Sequence, residues 1–308
     1  MHLAELTSVI NSPTANTVPR WMRGCFQRRS ISFANGQTDT DTRVFWLQSN
    51  LLTIDLRLPV TAQQEKEGDD IQKKADYEGW YAHADWDGKQ LQWRSGATYQ
   101  LHNRWPEPAI LQRIGNCMME FAPSGIYVED WRLLSDQPGP LIGLELISET
   151  DLSSGTTSPR KGALIICGRH AGLVIDRPHP ISDSGGLLKQ RLTNLQIDES
   201  ERSNLLDFET SVALGSLSEG FTVQHSLHKY RLQQPLLSLT GFELDAKSGY
   251  LRQRTEDNGK AVERLFRIDC CEMEFPFTPC TPSSEDSLEW FQREAPTLTR
   301  YTRVLYQN

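Results

Sequence analysis

Short alternations of apolar and polar residues, broken by turn-forming residues, run through most of this chain. Leu52-Thr53-Ile54-Asp55-Leu56-Arg57-Leu58 alternates along its whole length and stops at Pro59, which predicts a strand with one apolar and one polar face. Residues 43–49 predict the strand before it, joined through Ser49-Asn50, and residues 25–33 predict an earlier one that ends near the turn signal Asn35-Gly36. Residues 80–86, Asp87-Gly88 and residues 89–94 read as strand, tight turn and strand. Residues 116–121, Pro123-Ser124-Gly125 and residues 126–133 repeat that logic, and residues 141–147 add another strand.

Residues 148–161 are rich in Ser, Thr, Gly and Asp and carry no apolar period. They predict a loop, and with it a boundary between two units, 15–150 and 160–308. Strands are expected beyond it at residues 162–168, 171–176, 204–214, 221–228, 238–244, 263–275 and 300–306. Helices are few. Residues 62–77 suggest a polar surface helix. Leu188, Leu192 and Leu195 share a helical face within residues 186–201, and residues 284–292 suggest a capped helix with Leu288 and Phe291 inward. Short strands with turn signals about every ten residues predict an all-β chain of antiparallel barrels or a sandwich.

The 308 residues are 38% hydrophobic, enough for a large core. A net charge of −8 argues against a general polyanion binder, so no nucleic-acid partner is expected. The densest basic run holds Arg20, Arg23, Arg28 and Arg29, has no lysine and leads into a strand, and no basic cluster is interleaved with aromatics in the way a binding face needs. Residues 1–18 lack the basic start and apolar run of a secretory signal, and no stretch is apolar for long enough to span a bilayer. The 6 cysteines are sparse and irregularly spaced. These features together predict a cytoplasmic protein with reduced thiols.

Arg20-Trp21-Met22-Arg23-Gly24, Arg28-Arg29-Ser30-Ile31, Trp46-Leu47-Gln48 and Asp55-Leu56-Arg57-Leu58-Pro59 occur in order. His83-Ala84-Asp85, Tyr127-Val128-Glu129-Asp130-Trp131 and Leu164-Ile165-Ile166-Cys167-Gly168 follow. This succession resembles a family of uncharacterised bacterial proteins that is similar to a fungal protein built from two lipocalin-like barrels. The likeness covers mainly residues 19–175. It implies a calycin-type fold, two lipocalin-like halves with a possible internal cavity, and no established chemistry. The chain departs from the family pattern in the short Trp86-Asp87-Gly88 link after Asp85.

Alternation inside a barrel gives each strand one set of residues for the lumen. Tyr81, His83 and Asp85 share one face, and Tyr127, Glu129 and Trp131 share another, in competition with Ile126 and Val128. The one-face-wet rule of antiparallel sheets turns Asp55 and Arg57 outward, with Leu52, Ile54, Leu56 and Leu58 inside. An inward Glu129 needs a donor, and Arg57 and His83 are the nearest candidates. The expected ligand contacts are therefore Arg57, His83, Tyr127 and Glu129, with Trp131 and Trp46 as apolar wall. His83 and Asp85 have acid–base chemistry available as a pair, although a surface hydrogen bond is the plainer reading.

Asp183-Ser184-Gly185-Gly186 resembles the nucleophile loop of trypsin-like proteases, but the flanking sequence does not follow that pattern. Cys270 and Cys271 alternate to opposite faces, and Cys280, His225 and His228 complete no metal-ligand pattern. No phosphate-binding glycine loop is present, and neither metal nor cofactor is expected. The leading expectation is a lipocalin-like protein that holds a small, largely apolar molecule in a barrel cavity. A cavity enzyme of cyclase or isomerase type and a ligand-free protein-interaction module are the alternatives. A cavity of roughly 300 Å³ or more with convergent polar groups distinguishes the first two from the third.

Overall fold

In a computed structural model, residues 1–8, 10, 18–59, 71–135, 137–181, 186–194, 196–257 and 259–301 are described. Strand outweighs helix, 48% against 14%, as the dense rhythm of strand and turn requires. The first sheet contains β1 (Gly24–Phe33), β2 (Thr38–Asp39), β3 (Thr42–Gln48), β4 (Leu52–Pro59) and β5 (Glu78–Trp86). It continues through β6 (Gln90–Thr98), β7 (Ala109–Ile114), β8 (Cys117–Phe121) and β9 (Tyr127–Leu133). Neighbouring strands pair antiparallel, and β9 returns to β1, which closes an eight-strand barrel with β2 as an appendage. The turn between β5 and β6 shows how local the signals are. Asp87 Oδ1 accepts from the backbone N–H of Lys89 and Gln90, and Gly88 takes φ +95°, a conformation that favours glycine.

The second sheet contains β10 (Gly139–Asp151), β11 (Thr157–Ser158), β12 (Gly162–Cys167), β13 (His170–Ile175) and β14 (Glu209–Ser216). It is completed by β15 (Gly220–Ser226), β16 (Phe242–Leu244), β17 (Leu251–Asp257) and β18 (Lys260–Phe275). The path runs β15-β14-β13-β12-β10-β18-β17-β16, with β11 paired to β10. This sheet curls around its own core of Ile142, Leu144, Leu164, Ile166, Leu173, Phe242 and Phe266. A short N-terminal helix, α1 (Leu3–Leu6), inserts Leu3 and Leu6 into that core. The Met1 amino group anchors it by donating to Phe242 O at 2.9 Å.

The two sheets share a third layer of packing. Leu47, Leu52, Ile54, Leu56 and Leu58 from β3 and β4 meet Leu141, Ala163, Ile165, Cys167, Val174 and Val212 from the second sheet. Strand β4 is thus buried on both faces, and so is β12, which explains the unbroken apolar run Ala163–Cys167. The approach is close enough to need glycine at Gly79, where a Cβ would run into the side chain of Thr210. Polar ties frame the seam. Asp269 accepts from Ser49 Oγ at 2.6 Å and from Leu51 N at 3.1 Å. Arg177 donates to Tyr99 O at 2.6 Å and to Leu205 O at 3.0 Å.

Several sequence expectations are corrected. The chain passes between sheets after Leu133, so residues 141–147 belong to the second sheet. The loop at 148–161 is the β10–β11 hairpin, whose polar turn carries the same signals as a linker. The single helix expected at 186–201 is two short ones, α3 (Leu188–Leu192) and α4 (Glu199–Leu206). The second starts where Asp198 accepts from Glu201 N, and it takes the first residues of the strand expected at 204–214. Of 62–77, only α2 (Ile71–Lys74) is helical among the described residues, which exclude 60–70.

The C-terminal helix α5 (Glu285–Leu298) begins at the cap Ser284, but Leu288 and Phe291 are half exposed, with no element among the described residues burying them. Arg300 and Tyr301 lie in a turn after it, and the rest of the strand expected at 300–306 lies outside the described residues. The strand expected at 238–244 shrinks to β16, because the buried Gln253 amide binds the carbonyls of Ser238 and Thr240. No helix among the described residues is long and apolar enough to cross a membrane.

Candidate functional site

The barrel lumen is set by cross-strand register. Thr53, Asp55 and Arg57 of β4 pair with Ala82, Trp80 and Glu78 of β5, and Trp46 of β3 pairs with Asp55. All seven residues line a cavity of about 450 Å³ inside the first barrel. Tyr127 and Trp131 from β9 and Glu120 from β8 line it as well, and the segment of residues 99–108 adds His102 and Trp105. Five indoles therefore form much of its wall. Trp46 packs edge-on against Trp93 at 5.8 Å and Trp131 at 5.4 Å, and Trp80 packs edge-on against Trp93 at 5.8 Å. Such T-shaped contacts suit the ring quadrupoles and fix the rings in place.

A buried ionic cluster closes one side. Arg57 donates Nε to Asp55 Oδ1 at 2.9 Å and Nη2 to Asp55 Oδ2 at 3.3 Å, and its guanidinium lies 4.3 Å from the centre of the Trp105 ring. Behind it, Glu129 Oε1 accepts from Arg28 Nη1 at 2.8 Å and stands 3.6 Å from Arg57 Nη1. Arg28 also donates to Asp39 at 2.7 Å. Glu120 is the direct cross-strand neighbour of Glu129. It accepts from Trp131 Nε1 at 3.0 Å and from the Tyr127 hydroxyl at 3.5 Å. Burial, then the Glu129 charge, pushes the Glu120 carboxyl well above the usual carboxylate range. Burial also raises Asp55, to about 6, against the pull of Arg57. Burial and the two glutamates push the Tyr127 phenol upward, so its hydroxyl stays a donor.

The sequence-selected residues separate into three groups. Arg57, Tyr127, Trp131 and Trp46 line the cavity. Glu129 lies behind the lining, 1% exposed, with Arg28 rather than His83 as its nearest donor. His83 is not at the cavity. Its Nε2 lies 3.0 Å from Glu145 Oε1 of the second sheet, while Asp85 pairs with Arg94 at the surface. The cause is strand parity: Trp80 and Ala82 face the lumen, so His83 turns toward the other sheet. The outward placement of Asp55 and Arg57 is likewise reversed, because the second sheet covers the leucine face of β4 and leaves the polar face for the lumen.

Sequence reasoning missed Glu120, Glu78, Trp80, Trp93, Trp105 and Arg28. For Glu120 a signal existed: the hairpin around Pro123-Ser124-Gly125 fixes its position opposite Glu129. Ser184 of the protease-like loop lies outside the described residues. Cys270 faces the seam and Cys271 the opposite side of β18. No group of three His, Cys, Asp or Glu suited to a metal occurs among the described residues. The arrangement provides an aromatic chamber with a carboxyl, a phenol and a guanidinium among its polar lining. No protein-family model matches the chain, and no curated protein matches it.

Proposed function

We propose that this chain is a lipocalin-like binding protein that holds a small, largely apolar molecule in its first barrel and works in the cytoplasm. The observation that carries this reading is the tryptophan-walled cavity of about 450 Å³ with Arg57, Glu120 and Tyr127 converging on it. Cavities of this size suit small ligands, with apolar walls supplying affinity and a few polar groups fixing orientation. The same cavity argues against a module that serves only protein contacts. The test is native mass spectrometry of freshly purified protein. A discrete excess mass that disappears on denaturation supports the reading, and protein that never carries or acquires a small molecule contradicts it.

One observation favours a second reading, an enzyme of isomerase or cyclase type. Glu120, whose hold on a proton is strengthened by burial and by the neighbouring Glu129, is suited to act as a general acid at the cavity wall. Conversion of a bound molecule, abolished in Glu120→Gln while binding persists, distinguishes catalysis from storage.

A further inference from the structure

We propose that residues 99–108, between β6 and β7, form a strap that gates the barrel cavity, with Glu78 as its main latch. This rests on the cavity reading above and adds the route by which a ligand enters and leaves. Among the joints that close the barrel, the one between β6 and β7 is the shortest, limited to Gln90 with Ile110 and Leu91 with Ala109. Beyond Leu91, β6 has no strand beside it on that flank. It bends there at a bulge, where Ser95 and Gly96 take φ +60° and +94°. Both sides of the resulting gap line the cavity: Gln92, Trp93 and Ser95 on β6, and His102, Trp105 and Glu107 on the strap. The end of the barrel where β1 begins is filled by Val18 and Met22, packed against Leu91 and Leu133.

The strap is attached by side chains. Among the described residues, no backbone–backbone hydrogen bond involves residues 100–108, and Pro106 and Pro108 have no N–H to offer one. Its root is fixed where the buried Gln100 donates Nε2 to Ala75 O at 2.8 Å and to Tyr77 O at 2.7 Å. The rest is tied chiefly by two carboxylates. Glu78 Oε1 accepts from Arg104 Nη1 at 3.0 Å, and Glu78 Oε2 accepts from Trp105 Nε1 at 3.0 Å. Glu107 accepts from Ser124 N at 3.0 Å and Ser124 Oγ at 2.8 Å, which ties the far end to the turn between β8 and β9. Between these ties, Trp105 packs edge-on against Tyr127 at 5.5 Å and beneath the Arg57 guanidinium at 4.3 Å, as a removable piece of the wall. Opening the strap breaks a few side-chain bonds and leaves every ladder intact. Opening the wall elsewhere separates paired strands, a far larger loss.

The experiment is stopped-flow binding of propionyl-dimethylaminonaphthalene, an uncharged fluorescent ketone, to the full chain, read by energy transfer from the tryptophans. Glu78→Gln, with its fold checked by circular dichroism, removes the charge that strengthens both latch bonds. It should raise the association and dissociation rates together, each on the order of tenfold, with Kd changed by less than about threefold. Glu107→Ala frees the far end and should shift both rates in the same direction. It decides by the same criteria if Glu78→Gln does not fold. Unchanged rates in Glu78→Gln overturn the proposal and leave the cavity reading standing. So does faster dissociation alone with weaker affinity, which makes Glu78 a ligand contact rather than a latch. Failure of the probe to bind the wild type overturns both.

Discussion

Glu129 and Arg28 are among the least exposed charged side chains in the protein, at 1% and 3%, and they meet at 2.8 Å. Mutual attraction inside a protein offsets the loss of hydration only while both partners are present. Glu129→Ala leaves Arg28 with Asp39 alone and removes the charge beside Arg57. The predicted cost is about 3–5 kcal/mol of folding stability, the usual range for breaking a buried pair. Glu129→Gln keeps an acceptor and the side-chain shape, so it should cost less. Urea unfolding of both variants checks this, and an unchanged midpoint for Glu129→Ala refutes the cluster described here. At this scale the sequence was partly legible. Tyr127, Glu129 and Trp131 alternate against exposed Ile126, so their shared face could be read. Arg28 could not, because a register shift in β1 between Arg28 and Ser30 changes the pairing with β9.

Strands β4 and β12 show what alternation cannot reveal. The pattern at Leu52–Pro59 announces a strand with two unlike faces, and both faces are buried, one in the lumen and one against the second sheet. Which face meets which neighbour depends on tertiary packing. The assignment of His83 to the lumen failed for the same reason.

The seam between the sheets also carries a pH response. His225 on β15 stacks on Phe45 of β3 at 4.7 Å, and Arg43 Nη1 lies 3.4 Å from its Nδ1. Burial, then the Arg43 charge, lowers its pKa from 6.5 to about 4. The folded value lies below the unfolded one, so the unfolded chain takes up the proton first. The contribution of His225 is therefore complete above pH 6.5 and is lost as pH falls toward 4. His170, also lowered to about 4 by burial, acts with the same sign. His225→Phe should keep the stacking and flatten the acid loss of stability over that window, leaving the share due to His170. Parallel urea-midpoint profiles against pH for variant and wild type would show that the seam does not sense the proton.

The whole molecule is a closed eight-strand barrel backed by a second, curled antiparallel sheet, with one apolar core shared between them. The all-β class and most strands were legible, because period-two patterns and turn residues act locally. The passage from one sheet to the other was not, because Leu133–Gly139 contains no more turn signal than the hairpins do. Strand β17 was missed for a related reason: its inward position at Gln253 is polar, with the amide nitrogen bonded to backbone carbonyls, so it shows no apolar alternation.

The cavity depends on both sheets, since the second one holds the leucine face of β4 outward and the Asp55–Arg57 face toward the lumen. Ala82 is the small residue on the lumen face of β5 between cavity-lining neighbours, which makes it the place to fill the chamber. The most direct test is calorimetric titration of an uncharged aromatic ketone into wild type and into Ala82→Phe, with near-ultraviolet circular dichroism to check that the barrel stays packed. The predicted result is saturable one-site binding by wild type and at least roughly a tenfold loss in the filled variant, as expected when ligand and side chain compete for one volume. Equal affinity in the two proteins, or no binding by wild type, would contradict the account.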